Sequence, residues 1–182
     1  FEVSNQRWTA LTEENYGVAV LNDCKYGVSM EDNSINLTLL KSGLAPDMNA
    51  DKGIQEFTYS LYFWSGSFMN SPLIKEAYEL NTVPFRVTGE KNMDSLIRFD
   101  SDNVFLDTIK PAEDGSKDIV LRFYEGKKMT SRLDVKLNFD FESVTETDML
   151  EREIAPVETN PKGFSFVIKP FEIKTFKIKM KK

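Results

Sequence analysis

The sequence predicts an all-β fold of antiparallel β-sandwich architecture with one short helix. Two patterns carry that expectation. Along residues 133–141, Leu133, Val135, Leu137, Phe139 and Phe141 interleave with Asp134, Lys136, Asn138 and Asp140, the period of a strand with one dry face and one wet face. Similar short apolar runs recur down the chain, separated by Gly, Asp, Asn or Lys turns, as strands joined by short loops would be.

Residues 1–8 open the chain as a strand, and 9–16 read as a polar connection. The stretch the rest is organised around is VAVLNDCKYGV, from Val18 to Val28. Val18, Ala19, Val20 and Leu21 suit a strand buried on both faces, and the run stops at Asn22-Asp23, whose side chains bond turn backbone. Gly27 tolerates positive φ, and Val28 and Met30 resume an apolar pattern, so a hairpin is expected. Its tip sets Asn22, Asp23, Lys25 and Tyr26 beside a core strand. A solvated turn accounts for those residues; a tip held rigidly against another surface is the sharper alternative.

Ile35, Leu37 and Leu39 then alternate with Asn36 and Thr38 in a strand over 34–41, and 42–53 is a loop rich in Gly, Pro and Asp. Asn36-Leu37-Thr38 is a formal glycosylation sequon, of little weight on a strand. Phe57, Tyr59, Leu61 and Phe63 form the expected inner face of a long strand. Over 71–80, Ser71 can cap a helix, Pro72 suits its first turn, and Leu73, Ile74, Ala77 and Tyr78 share a side. Residues 83–88 look extended, and GEKNMD (89–94) reads as a linker. The chain therefore divides into 1–89, part of a larger β-sandwich with the short helix, and 90–182, a smaller C-terminal sandwich. In the second part strands are expected over 96–99, 104–109, 119–124 and 133–141. Near the end Phe171 and Ile173 take one phase while Phe176, Ile178 and Met180 take the other, which predicts a β-bulge at Lys174-Thr175.

Composition excludes several classes of function. The 182 residues hold 23 basic and 29 acidic side chains, net −6, which argues against a nucleic-acid or anionic-membrane partner. Lys174, Lys177, Lys179, Lys181 and Lys182 do not overturn this; they read as a solvated face or as edge protection. No window reaches the apolar length of a membrane span, the N-terminus FEVSNQRW lacks the regions of a signal peptide, and the absence of a starting Met suggests a piece of a longer chain. Histidine is absent and cysteine occurs once. Ser-His and Cys-His nucleophile pairs and a tetrahedral zinc set are thereby removed, and no internal disulfide forms. Cys24 reads as a small buried hydrophobe, and a reducing cytoplasm is compatible with its being alone.

Three stretches carry a resemblance. YGVAVLNDCKYGVS, IKPAEDGSKDIVLRFYEG and PFEIKTFKIK, in that order, are similar to motifs of the C-terminal β region of the glycoside hydrolase family 38 α-mannosidases, and EFTYSLY after ADKG and EAYELNT after the helix fit the same family. The resemblance covers nearly the whole chain. It implies a parent that is a zinc-dependent retaining α-mannosidase, whose aspartate nucleophile and zinc ligands lie on an N-terminal catalytic domain outside these residues. This chain by itself is then expected to be inactive, to hold no catalytic residue and no metal, and to act as a scaffold with some loops near the α-mannoside cleft.

On that reading the cleft or interface candidates are Asn22, Asp23, Lys25 and Tyr26, together with Arg122, Tyr124 and Glu125 of LRFYE. Arg122 and Tyr124 lie opposite Ile119, Leu121 and Phe123, and an arginine there can make a bidentate contact to a carboxylate. A salt bridge of Arg122 with Glu125 or Glu113 is the plain alternative. Gln55 stands where the family often has histidine, and Phe63-Trp64 where a Pro-His turn is common, so the resemblance carries no sugar or interface role over to those positions. Trp8 and Trp64 suit buried packing better than a sugar platform. A free-standing carbohydrate-binding sandwich stays open as a rival function, and an oligomerisation module would require a large exposed apolar patch.

Overall fold

A computed structural model describes residues 2–89 and 94–181. Most of the expected 89–94 linker lies outside the described residues. The chain forms two compact units, Phe1–Val87 and Thr88–Lys182, and its sheets are antiparallel throughout.

In the first unit β1 (Val3–Ser4), β2 (Trp8–Thr12), β3 (Tyr16–Asn22), β4 (Gly27–Glu31), β5 (Ser34–Leu37) and β6 (Tyr59–Ser65) precede a 3-10 turn, Phe68–Asn70, and α1 (Leu73–Asn81). They make two three-stranded sheets, ordered β1-β4-β5 and β2-β3-β6. β2 lies where the sequence reads as a polar connection, and it pairs with β3 along its length, Leu11 opposite Val18. Only one face of β3 is dry: Ala19 and Leu21 are buried, while Val18 and Val20 are half-exposed. Ala19, Leu21, Trp64, Leu73 and Ala77 form the core, with Trp8, Ala10, Tyr62 and Phe68 against it.

Three further expectations fail in this unit. β3 and β4 are not a hairpin, because they belong to different sheets. The backbone N–H of Asn22 donates to the Arg7 carbonyl and that of Asp23 to the Thr58 carbonyl, so the chain leaves β3 with its hydrogen bonds already spent on β2 and β6 neighbours. The phase of β6 is the reverse of that expected. Tyr62 and Trp64 point inward, leaving Tyr59, Leu61 and Phe63 exposed, because both phases of YSLYFWS are apolar and the indole fits over Gly17. A Cβ on Gly17 would lie 2.0 Å from Trp64 Cζ2. Ser71 does not cap α1; its hydroxyl donates to the Phe68 carbonyl, closing the preceding 3-10 turn, and Pro72 takes the cap position.

The second unit is a closed sandwich. β7 (Ile97–Arg98), β8 (Val104–Pro111), β9 (Ile119–Glu125), β10 (Ser131–Leu137), β11 (Phe141–Thr147), β12 (Glu153–Val157), β13 (Thr159–Asn160), β14 (Gly163–Ile168) and β15 (Ile173–Met180) build a four-stranded sheet, β13-β14-β10-β7, and a five-stranded one, β12-β11-β15-β9-β8. Their inner faces share one core. Phe123, Phe164, Phe166 and Phe176 interlock there, with the Phe166 and Phe176 rings 4.6 Å apart, an arrangement that adds ring geometry to area burial.

The run 133–141 is two strands rather than one. Leu133, Val135 and Leu137 fill one sheet, the chain turns at 138–140, and Phe141 begins a strand of the other; both faces of a sandwich are apolar inside, so the alternation passes through the corner unbroken. No bulge occurs at Lys174-Thr175, where β15 pairs in regular register with β9; the irregularity falls between Phe141 and Ser143 of β11. Phe171 and Ile173 accept exposure instead. β15 is also a central strand, which corrects the edge-protection reading of its lysines. Lys177 pairs with Asp114 and Asp118, Lys179 with Glu142, and Lys174 with Glu146 and Glu172.

Candidate functional site

The Asn22 to Tyr26 segment is a strapped corner. Asn22 is 1% exposed; its Oδ1 accepts from the Lys25 backbone N–H at 2.8 Å and its Nδ2 donates to Asn5 Oδ1 at 3.0 Å. The Asn22 carbonyl receives Asn81 Nδ2 at the end of α1, 3.1 Å away. Asp23 Oδ2 accepts from the Thr58 N–H at 2.9 Å. The Cys24 thiol beside it and that N–H hold the Asp23 carboxyl below its usual range. The same contact pushes the Cys24 thiol up, and Cys24 is exposed rather than buried. Lys25 lies 4.9 Å over the Phe57 ring, and Tyr26 is exposed. Asn22 and Asp23 thus serve the corner, Lys25 is half-buried against Phe57, and Cys24 and Tyr26 are what the segment presents to solvent.

In the second unit Arg122 does not pair with Glu125 or Glu113. Its Nε donates to Thr175 Oγ1 and its Nη2 to the Met149 carbonyl, each at 3.1 Å, while Glu113 pairs with Lys110. Tyr124 stacks on Phe105 with centroids 5.3 Å apart.

Glu125 is 2% exposed and accepts from Asn103 Nδ2 at 2.9 Å, the Lys127 N–H at 2.8 Å and the Phe171 N–H at 2.9 Å. Burial pushes its carboxyl up, yet the hydrogen bonds from Asn103, Phe171, Lys127 and Met129 outweigh burial and hold it below its usual value. A buried carboxylate satisfied in this way stays ionised. It ties the end of β9 to the turns before β8 and β15. Asn103 and Ser131, which complete the cluster, carry no signal in the sequence, since neither lies in an unusual pattern.

An open groove of about 980 Å³ runs over β7 and β10, lined by Arg98, Arg132, Asp134, Lys136, Asp140 and Lys162 among others. None of the sequence candidates lines it. Trp8 and Trp64 pack with Phe68 and Tyr62 in the first core rather than forming a platform. Among the described residues no three His, Cys, Asp or Glu side chains converge as a metal site, and no helix is long and apolar enough to cross a membrane.

The family model described as glycosyl hydrolases family 38 C-terminal beta sandwich domain matches residues 103–176, and the one described as glycosyl hydrolases family 38 C-terminal domain matches residues 1–49. Alpha-mannosidase G of Dictyostelium discoideum is 38% identical over 191 residues, covering 97% of this chain and 17% of that protein. Alpha-mannosidase 2C1 of Homo sapiens is 37% identical over 158 residues, covering 84% of this chain and 15% of that protein. The alpha-mannosidase of Saccharomyces cerevisiae is 31% identical over 204 residues, covering 98% and 19%. This chain therefore spans under a fifth of the length of these curated relatives. A solved family 38 glycosyl hydrolase of Enterococcus faecalis superposes with a TM-score of 0.72 over 97% of this chain and 22% of that one, at 15% identity, which speaks for the fold alone. With one family model on each unit and relatives aligned along nearly its whole length, this chain belongs to glycosyl hydrolase family 38, as part of that family's C-terminal β region.

Proposed function

We propose that this chain is the non-catalytic C-terminal β portion of a zinc-dependent retaining α-mannosidase, supporting a catalytic domain on the same polypeptide and contributing loops near its α-mannoside cleft. The observation that carries the reading is the alignment to alpha-mannosidase G over 97% of the chain. The residues present do not fit the metal: histidine is absent, cysteine occurs once, and among the described residues no ligand cluster forms. On this reading zinc and the nucleophile belong to the remainder of the parent. A retaining pair of carboxylates is about 5 Å apart across the sugar, and the buried carboxylate here, Glu125, is fully engaged by backbone and Asn103 donors.

Tyr26 is the exposed tip group that meets a sugar hydroxyl or a domain neighbour, beside the half-buried Lys25, on a corner held in place by Asn22 and Asp23; Arg122, Tyr124 and Glu125 serve to position the β9 end. A cytoplasmic compartment suits a chain whose single thiol is exposed. Activity on a chromogenic α-mannoside tests the reading, comparing this chain with the full-length parent, each with and without zinc. Zinc-dependent turnover by the parent alone is expected; turnover by this chain would overturn it.

The second reading, a free-standing carbohydrate-binding sandwich, has the polar groove over β7 and β10 in its favour, since mixed cations and carboxylates can bond sugar hydroxyls. Saturable binding of a mannoside by this chain, abolished by Arg132→Ala, would favour it over the first.

A further inference from the structure

The two sheets of the second unit treat their cations differently. On the five-stranded sheet Lys110, Lys174, Lys177 and Lys179 each meet one or two carboxylates. Over the four-stranded sheet, the groove of about 980 Å³ is lined by Arg98, Arg132, Lys136 and Lys162. Among the described residues the last three of these form no ion pair. Asp134, the carboxylate between Arg132 and Lys136 on β10, accepts from the Ser165 hydroxyl instead.

The strand register concentrates the charge. Lys136 stands directly opposite Arg98 of β7 on one side and opposite Gly163 of β14 on the other, and Gly163 is opposite Asn160. Like charges at directly opposed positions destabilise an antiparallel pair, and no carboxylate shares that row. Lys162 comes from a third segment, the turn between β13 and β14, where its backbone is fixed. Its N–H donates to Asn160 Oδ1 and its carbonyl accepts from the Leu137 N–H, each at 2.8 Å. Arg98 gives one N–H to Asp94 at 2.7 Å, an exposed pair of small worth that leaves other guanidinium donors for a ligand. Three segments distant in sequence thus each deliver a cation to one groove.

Asp100 and Asp140 line the same groove. They oppose a ligand that is anionic throughout, and they can accept from hydroxyl groups. A molecule that answers both sets of side chains carries one compact oxyanion and several hydroxyls.

We propose that this groove binds a sugar phosphate, with the phosphate on Lys136, Arg98 and Lys162 and sugar hydroxyls on Asp100 and Asp140. Lysine and arginine hold phosphate through charge-assisted hydrogen bonds, and the volume is that of a small-molecule site. An anion there also relieves the repulsion between Lys136 and Arg98. The inference stands on the second unit alone and does not depend on the α-mannosidase reading.

Isothermal titration calorimetry on the full-length parent tests this, with glucose 6-phosphate, glucose and inorganic phosphate as separate titrants; glucose 6-phosphate is chosen because it is not a mannoside. It is expected to bind saturably, and at least about tenfold more tightly than glucose or phosphate. Lys136→Gln and Arg98→Gln, both at exposed positions, are each expected to weaken it by about tenfold or more without lowering the melting temperature. Lys117→Gln, which removes an exposed cation between β8 and β9, should leave it within about twofold. Phosphate binding as tightly as the sugar phosphate would overturn the proposal by making the groove an anion site alone. Glucose binding as tightly would overturn it in favour of a neutral-sugar groove. Absence of saturable binding, or a titration that Lys136→Gln leaves unaltered, also overturns it. Turnover of an α-mannoside by the same preparation keeps the claims apart, since an inactive parent whose binding depends on Lys136 removes the enzymatic reading alone.

Discussion

Glu125 shows how a single buried charge is made acceptable. Its oxygens meet four donors, three of them backbone N–H groups that the turns after β9 and before β15 would otherwise leave unpaired. Glu125→Ala should cost about 2–3 kcal/mol in denaturant unfolding, because it strands those donors in a dry site. Asp23, Asp114, Glu125 and Glu151 all have carboxyls held below their ordinary range by hydrogen bonds or lysine partners. A carboxylate with a depressed folded-state pKa contributes stability above its unfolded value, near pH 4, and loses it as pH falls through the folded value. Lys110, Lys177 and Lys179 are raised by their acidic partners, so their contribution is present below about pH 10.4 and lost as pH rises through the folded value. Melting temperature should therefore plateau across the neutral range and fall at both ends, more steeply in acid; a profile that peaks below pH 4 would contradict these assignments. The long-range partners were not legible locally, since Asp114 reaches Lys177 and Glu125 reaches Phe171 only after the sheets form, whereas Glu113 lies three residues from Lys110.

Two glycines decide how closely elements approach. Gly17 lets Trp64 lie across β3, and Gly163, at φ +154, brings β14 against β10 so closely that a Cβ would sit 1.9 Å from the Val135 carbonyl oxygen. Trp64 can shift its ring whereas a strand backbone cannot yield, so Gly163→Ala is expected to destabilise by about 3 kcal/mol and Gly17→Ala by about 1–2 kcal/mol. Urea midpoints of the two variants check the order as well as the size. Strands with one wet face were readable: β8 and β9 fall where alternation places them. β2, β12, β13 and β14 went unassigned, β12 because Pro156 within it argues against a strand while an edge tolerates it. β6 was found with its faces exchanged, because period two locates a strand but does not say which of two apolar faces is dry.

At the scale of the molecule, two units solve the same problem unequally. The second buries both of its sheets against each other over a phenylalanine-rich core, while the first closes one face of β2-β3-β6 with α1 and leaves the other bare. The corner at Asn22 belongs to the first arrangement. Asn22→Ala, which removes bonds to Asn5 and Lys25, should lower stability by about 1–3 kcal/mol. Tyr26→Ala, by contrast, leaves melting temperature nearly unchanged and, in the full-length parent, lowers kcat/KM for an α-mannoside if the tip meets the substrate. Unaltered kinetics for Tyr26→Ala would take the tip out of the cleft.

The sequence by itself determined the all-β class, the one short helix and the family, since these depend on local alternation and on ordered strings of residues that survive without contacts. It also showed that these residues cannot assemble a histidine-dependent site, a matter of composition alone. The tertiary structure decided which strands share a sheet, which face of β6 is dry, where the corner at Asn22 sends the chain, and whom the lysines of β15 meet. Each of those depends on groups far apart in the chain. Burial and cross-strand pairing are properties of the assembled sheets, and a period-two pattern is the same whichever neighbour it eventually finds.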